Sequence, residues 1–264
     1  MQDFGKFVYL DMPKTGSTLT SDFLQKCCIL PEVSFDKHKP MDRPKQDGVF
    51  YFSTVRDPKD LYESLFQFGC SHRGGLFKKI RDLGQAELYQ PNTEHFRLWM
   101  QFMMDPKFLT KCYPRMRRYF KMGFGFQSTR YIYLNLAMPR KAIVTCGSMQ
   151  DVIRVFGESN ISDLIIRNEN LNEGLKEFAT VRFPQYFDQV KVADYFAGNI
   201  KLNTSVSPLK SLLERAWTDE MLAEFRRKEA VLIELYGRED NWNMPPDAAA
   251  MGAPHQVAGA LAAG

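Results

Sequence analysis

Twice within its first 70 residues the chain sets a short, largely apolar and aromatic run directly before a turn and then a helix-period pattern. The first run is Phe7 to Met12, ended by Pro13; after Pro13-Lys14-Thr15-Gly16-Ser17-Thr18 come Leu19, Phe23 and Leu24 at helical spacing, as far as Cys27 or Cys28. The second is Val49-Phe50-Tyr51-Phe52-Ser53-Thr54-Val55, closed by Arg56-Asp57-Pro58, with Leu61, Leu65 and Phe68 on the helix that follows. A strand that is apolar without alternation is covered on both faces, as in parallel sheets. Proline at 58 suits the first turn of a helix, where its missing N–H costs nothing. A repeated strand, turn and helix predicts an α/β fold with a mostly parallel central sheet flanked by helices.

The remaining pattern extends this plan. A polar, proline-rich stretch from Pro31 to Gly48 reads as loop, and a helix is expected from Asn92 to Met104. Tyr131 to Ala137 and Ala142 to Thr145 read as further strands, the second leading through Gly147 into a helix over Met149 to Phe156. Helices near Pro208 to Ala216 and Thr218 to Tyr236 close the fold, the latter beginning Thr218-Asp219-Glu220 with acidic residues in its first turn. With 264 residues, one sizeable core is affordable and two are not. Residues 1 to 243 are therefore read as one domain, and 244 to 264, rich in Ala, Gly and Pro, as a flexible tail.

Charge and cysteine content narrow the partners. A formal net charge of +4, from 35 basic and 31 acidic residues, does not favour nucleic acid, although a mild positive bias draws in a small anionic ligand. Cys27, Cys28, Cys70, Cys112 and Cys146 are odd in number and none is spaced as C-x-x-C, which predicts reduced thiols and no metal site. No basic-then-apolar leader and no long apolar run is present, so the expectation is a cytoplasmic chain with no membrane span.

Lys14-Thr15-Gly16-Ser17-Thr18 falls where a strand feeds a helix, so free backbone N–H groups and the positive end of the helix dipole converge on one spot. Gly16 permits close approach, Thr15, Ser17 and Thr18 add hydroxyls, and Lys14 adds a mobile charge. Read alone, the segment equally suits simple helix capping. It is not a Walker A loop, because its lysine precedes its glycine. The second junction supplies Arg56, and a helix from Pro58 puts Ser64 almost two turns along, facing back toward that arginine. Two phosphates of one ligand are then within reach.

Together the two segments resemble the PAPS-dependent sulfotransferases, in particular the carbohydrate O-sulfotransferase branch. That family's 5′-phosphosulfate loop is similar to Pro13 through Thr18, and its 3′-phosphate motif is similar to Arg56-Asp57-Pro58 with Ser64 eight residues beyond the arginine. Phe66-Gln67-Phe68-Gly69 has the family's look as well. A weaker likeness lies at Leu202-Asn203-Thr204-Ser205, flanked by Lys201 and Lys210, where relatives carry a cofactor-covering loop; an ordinary polar turn explains it equally. The resemblance implies a P-loop-like three-layer fold. It also implies transfer of a sulfuryl group from 3′-phosphoadenosine-5′-phosphosulfate (PAPS) to an acceptor hydroxyl, leaving adenosine 3′,5′-bisphosphate and needing no metal.

On that reading Lys14 and the amides of residues 15 to 18 meet the charge developing on the leaving phosphate, and the acceptor needs a general base. His38, in Lys37-His38-Lys39 before the second strand, is the first choice, because relatives place a catalytic histidine in this segment. His95, beside Glu94 and Arg97, is the second, and Glu32 is a third; His72 reads as a loop residue and His255 falls in the tail. The acceptor is a hydroxyl-bearing small molecule or glycan, and Lys111 to Lys121, with Arg115, Arg117, Arg118 and Tyr119, suits an anionic sugar or a solvated helix face. The alternatives are a sulfotransferase acting on a phenol or protein tyrosine, a P-loop-type kinase, and a nucleotide-binding protein without turnover.

Overall fold

The computed structural model describes residues 1–198 and 209–237. Five strands form one mixed sheet: β1 (Gln2–Asp3), β2 (Phe7–Leu10), β3 (Ser34–Phe35), β4 (Phe50–Val55) and β5 (Leu164–Arg167), in the order β3-β1-β2-β4-β5. The core strands β2, β4 and β5 are parallel, while β1 pairs antiparallel with β2 and with β3. The helices are α1 (Ser17–Cys27), α2 (Pro58–Cys70), α3 (Gly75–Asp82), α4 (Thr93–Met104), α5 (Pro106–Cys112), α6 (Arg117–Lys121) and α7 (Phe126–Asn135). There follow α8 (Pro139–Ala142), α9 (Met149–Ser159), α10 (Leu171–Glu177), α11 (Gln189–Ala197), α12 (Leu209–Glu214), α13 (Asp219–Lys228) and α14 (Ala230–Gly237).

Alternation along the core strands sends apolar side chains to both sides, which is why these runs carry no polar face. Phe7, Tyr9, Phe52, Leu164 and Ile166 pack on one side with Leu19, Phe23 and Leu24 of α1, Leu171 and Leu175 of α10, and Val192 of α11. On the other side Val55 and Ile165 meet Ile132 of α7, Val152 of α9 and Leu232 of α14, and Val8, Leu10 and Tyr51 form a smaller cluster with Met41 and Ile161. A third body, built around Trp99, joins Phe66 of α2, Ile80 of α3, Phe96 of α4, Leu109 of α5 and Phe225 of α13. The α/β class and the helix-flanked sheet stand as the sequence predicts. Among the described residues no helix is long and apolar enough to cross a membrane.

Several elements differ from expectation. Tyr131 to Ala137 is not a strand; it belongs to α7, in which every residue except Arg130 is buried. A helix buried all round shows no polar stripe, and its Tyr and Ile content mimics a strand. Ala142 to Thr145 is the end of α8 and a turn, with Val144 exposed. The third parallel strand is instead Leu164–Arg167, whose partner is β4. The helix expected over Thr218 to Tyr236 is two, α13 and α14, separated at the buried Glu229.

A candidate anion-binding site at the ends of the parallel strands

Parallel pairing of Phe7 with Phe50 through Leu10 with Ser53 brings the carboxyl ends of β2 and β4 to the same sheet edge. The turn after β2 is shaped by two left-handed residues, Lys14 at φ 69° and Gly16 at φ 92°. Gly16 is required twice over: its φ disfavours a side chain, and a Cβ there would collide with Leu171 and Asn168 of the segment after β5. Lysine in this conformation is uncommon, and strain of this kind gathers at functional turns.

No side chain caps α1, whereas Asp57, Asn92, Asp105, Ser148, Asp188 and Thr218 cap α2, α4, α5, α9, α11 and α13. The first amides of α1 therefore retain their capacity for an anion. Thr18 is exposed beside them and Ser17 is mostly buried. Thr15 departs from the role expected of its hydroxyl: it is turned inward, 2.8 Å from the carbonyl oxygen of Met12 and 2.6 Å from Oγ1 of Thr54. Thr15 offers the cradle its backbone, and its side chain fastens the turn to β4.

Lys14 reaches across to α2, where its Nζ lies 4.0 Å from the centre of the Phe68 ring. Burial lowers the pKa of this ammonium, and the charge of Arg56 lowers it further. Arg56, Ser64 and Lys210 line one depression with Asp60, Glu63 and Gln67. Asp60 sits between the cations, its Oδ2 3.6 Å from Nη2 of Arg56 and 3.8 Å from Nζ of Lys210. The Nε of Arg56 is buried without a hydrogen-bond partner among the described residues. Lys14, Arg56 and Ser64 thus share one region, and Lys210, noted in the sequence only as flanking a loop, joins them. Lys201, Asn203, Thr204 and Ser205 lie outside the described residues, as do His255 and residues 244–264.

His38 is drawn to the same edge. Its Nδ1 lies 3.0 Å from Oδ2 of Asp11, the residue that follows β2, and its own φ is 56°. His95 is occupied otherwise: it sits in the first turn of α4 with its ring Nδ1 3.0 Å from Oδ1 of Asn92. Glu32 accepts a hydrogen bond from Nε2 of Gln2 at 2.7 Å, on the β1 side of the sheet. His72 stacks on Phe77 at the end of α2.

The basic stretch Lys111 to Lys121 is part of a longer feature that the sequence reading took in only partly. Residues 106 to 150 contain nine basic side chains and no Asp or Glu, although the chain as a whole is nearly balanced. Eight are exposed: Lys107, Lys111, Arg115, Arg117, Arg118, Lys121, Arg140 and Lys141. Among the described residues none of the nine has a carboxylate within ion-pair distance. Arg118 donates to the carbonyl of Cys146 and Tyr119 to that of Pro139, so α6 lies beside α8. The ninth, Arg130, stacks over Phe126, and it is close enough to Asp11 for that carboxylate to offset part of the burial that lowers its pKa. The signal is a gap in acidic residues, visible only when the two signs are counted separately along the chain.

Comparison of the chain with protein-family models, with curated proteins and with solved structures finds no match.

Proposed function

We propose that this chain is a sulfotransferase that moves a sulfuryl group from PAPS to an acceptor hydroxyl, on a P-loop-like three-layer scaffold. The observation that carries the reading is the juxtaposition of Lys14, at an uncapped helix start, with Arg56, Ser64 and Lys210 on the neighbouring junction. A bisphosphorylated adenosine presents two anionic ends, and this edge of the sheet offers two cationic ones. The Nε of Arg56, buried without a hydrogen-bond partner among the described residues, and the partly buried, charge-repelled ammonium of Lys14 suit an anionic ligand, because a buried donor without an acceptor and a desolvated cation are both costly.

The donor molecule supplies an activated sulfuryl group, and the chain's residues do the rest. His38 takes the acceptor's proton on Nε2 as the acceptor oxygen bonds to sulfur and the bond from sulfur to the phosphate oxygen breaks. Lys14 and the first amides of α1 receive the negative charge left on that oxygen, acting as fixed donors where charge develops. The acid-free surface of α5, α6 and α8 supports an anionic acceptor, such as a carboxylated or sulfated glycan, over a neutral phenol.

Thermal-shift titration separates this from a kinase reading. Stabilisation by adenosine 3′,5′-bisphosphate without magnesium is expected, together with transfer of labelled sulfate from PAPS to glycans in a panel that includes phenols and tyrosine peptides. A response to ATP with magnesium alone would overturn the proposal.

A further inference from the structure

We propose that Asp11 is a positioning residue for His38, holding the imidazole as the tautomer whose Nε2 is free to accept a proton. The proposal rests on the reading of His38 as the general base. The Asp11 side chain is wholly buried at the end of β2, three residues before Lys14, whereas the His38 side chain is 30 % exposed. The ring therefore has its Nδ1 edge against the carboxylate, while the side chain remains partly open to solvent.

Nδ1 faces two oxygens of the same residue, Oδ2 at 3.0 Å and the backbone carbonyl oxygen at 3.3 Å. A lone pair on Nδ1 would oppose both acceptors, so the hydrogen belongs on Nδ1 and the lone pair on Nε2. Only the contact with the backbone carbonyl is aligned as a hydrogen bond; neither carboxylate oxygen of Asp11 has a hydrogen-bond partner among the described residues, and Oδ2 meets the ring at ion-pair distance. Burying a carboxylate without donors is costly, and a packing role does not require it because an apolar residue would fill the space. The carboxylate gains its purpose when the neighbouring ring takes up a proton, since it then faces an imidazolium. Arg130 from α7, the Met1 ammonium and the Tyr9 hydroxyl also feel the Asp11 charge, but none lies within ion-pair or hydrogen-bond distance of the carboxylate.

The ring is held from the backbone too. His38 occupies the left-handed region, and its loop is tied to the sheet by hydrogen bonds from Val33 N to Asp3 O and from Asp36 N to Met1 O. The same loop, at Met41, accepts from Met138 N at the start of α8. A histidine needed only for loop solubility has no reason for this fixation against a buried acid.

The test combines a spectrum and a kinetic cycle. In protein labelled with ¹⁵N-histidine, with the His38 signals assigned by their loss in His38→Ala, the neutral wild-type ring is expected to carry its proton on Nδ1. Asp11→Asn, which can present its amide N–H to the ring, is expected to shift the population toward Nε2–H. In sulfate transfer, Asp11→Asn should lower kcat at least tenfold while KM for the acceptor and affinity for adenosine 3′,5′-bisphosphate change less than twofold. The double variant Asp11→Asn with His38→Ala should be no slower than His38→Ala, because both act through one proton transfer.

An Nε2–H tautomer in the wild type, a tautomer unmoved by Asp11→Asn, or losses that multiply in the double variant would each overturn the assignment. The wild-type spectrum needs no variant other than the one used for assignment, so misfolding of Asp11→Asn leaves the question decidable. If His38→Ala retains full turnover, the base itself is wrong and the positioning role falls with it. If His38→Ala is inactive but Asp11→Asn is not, the base stands and Asp11 alone is refuted.

Discussion

The hydroxyls of Thr15 and Thr54 lie 2.6 Å apart in the interior, joining the turn after β2 to the neighbouring parallel strand. Tyr9 extends the chain, its hydroxyl 2.9 Å from the same Thr54 oxygen. The turn that carries Lys14 and Gly16 is thereby registered against the strand that ends in Arg56, and the distance between the two cationic junctions is set by the core. Replacing Thr54 with Val keeps the volume and removes the shared atom. The expected loss is about 1–3 kcal/mol of unfolding free energy in urea melts, as buried hydroxyls lose their partner. Affinity for adenosine 3′,5′-bisphosphate should fall several-fold with it. Unchanged affinity in a destabilised protein would mean that the network serves the core alone.

Asp60 stands where an incoming phosphate would compete with it for Arg56 and Lys210. Its removal should therefore help binding. Asp60→Asn is expected to tighten the bisphosphate, read by calorimetry. Arg56→Ala, which removes a charge-assisted hydrogen bond, should weaken it by roughly tenfold to a hundredfold. If Asp60→Asn binds more weakly, the carboxylate orients Arg56 more than it blocks it.

Lys14 is disfavoured as a charged group by burial and by Arg56, and it adopts an uncommon backbone conformation. A residue kept at such cost should be improvable for stability and indispensable for binding. Lys14→Met is expected to melt no lower than the wild type while losing the thermal shift caused by the bisphosphate. The sign of the pH dependence follows. Binding an anion favours the protonated lysine, so affinity is full below the lowered pKa and declines as pH rises through it. That decline should begin below 10.5, the ordinary lysine value. Affinity that stays flat into the ordinary lysine range would contradict the placement of Lys14 beside the ligand.

Surface charge over residues 106 to 150 should be felt in the acceptor term. Raising the salt concentration is expected to increase KM for a sulfated glycan and to leave KM for a neutral acceptor unchanged, since exposed charges are screened within about 10 Å at 0.1 M salt. Charge reversal of Arg117 and Lys121 together should reproduce the effect, with kcat preserved. Equal salt sensitivity for both acceptors would remove this surface from the acceptor path.

What the sequence revealed depended on how directly chemistry and pattern coincide. The two junctions were legible because apolar runs covered on both faces are followed at once by turn residues and by a helical period, and the structure keeps β2, α1, β4 and α2 in those places. Ser64 was legible because helical geometry fixes its turn relative to Arg56. Asp11 was not, since one acid between a strand and a proline looks like any strand terminus, and its meaning comes from a loop residue 27 positions away. Nor was the inward turn of the Thr15 hydroxyl, which depends on Thr54 across the sheet. The helix α7 was misread because complete burial erased its period, and Arg130 on it was passed over for the same reason.

That buried helix carries the last prediction. Glu229, in the break between α13 and α14, accepts hydrogen bonds from Gln127 N at 3.1 Å, from Ser128 N at 2.6 Å and from the hydroxyl of Tyr62, capping α7 from a distance in the chain. Burial raises the pKa of its carboxyl above the ordinary 4.5, and the three donors only partly oppose this. The native state then binds more protons than the unfolded chain between 4.5 and the raised value, so this group's stabilisation is full below 4.5 and is lost as pH rises through the folded pKa. Glu229→Gln removes the titration. In urea melts across that window, wild-type stability relative to Glu229→Gln is therefore expected to fall as pH increases. Glu229→Ala, leaving two amides and a phenol without an acceptor, should cost on the order of 3 kcal/mol at the acid end of that window and less as pH rises. A wild type that gains on Glu229→Gln as pH rises would show that the three donors outweigh burial, reversing the direction argued for this carboxyl.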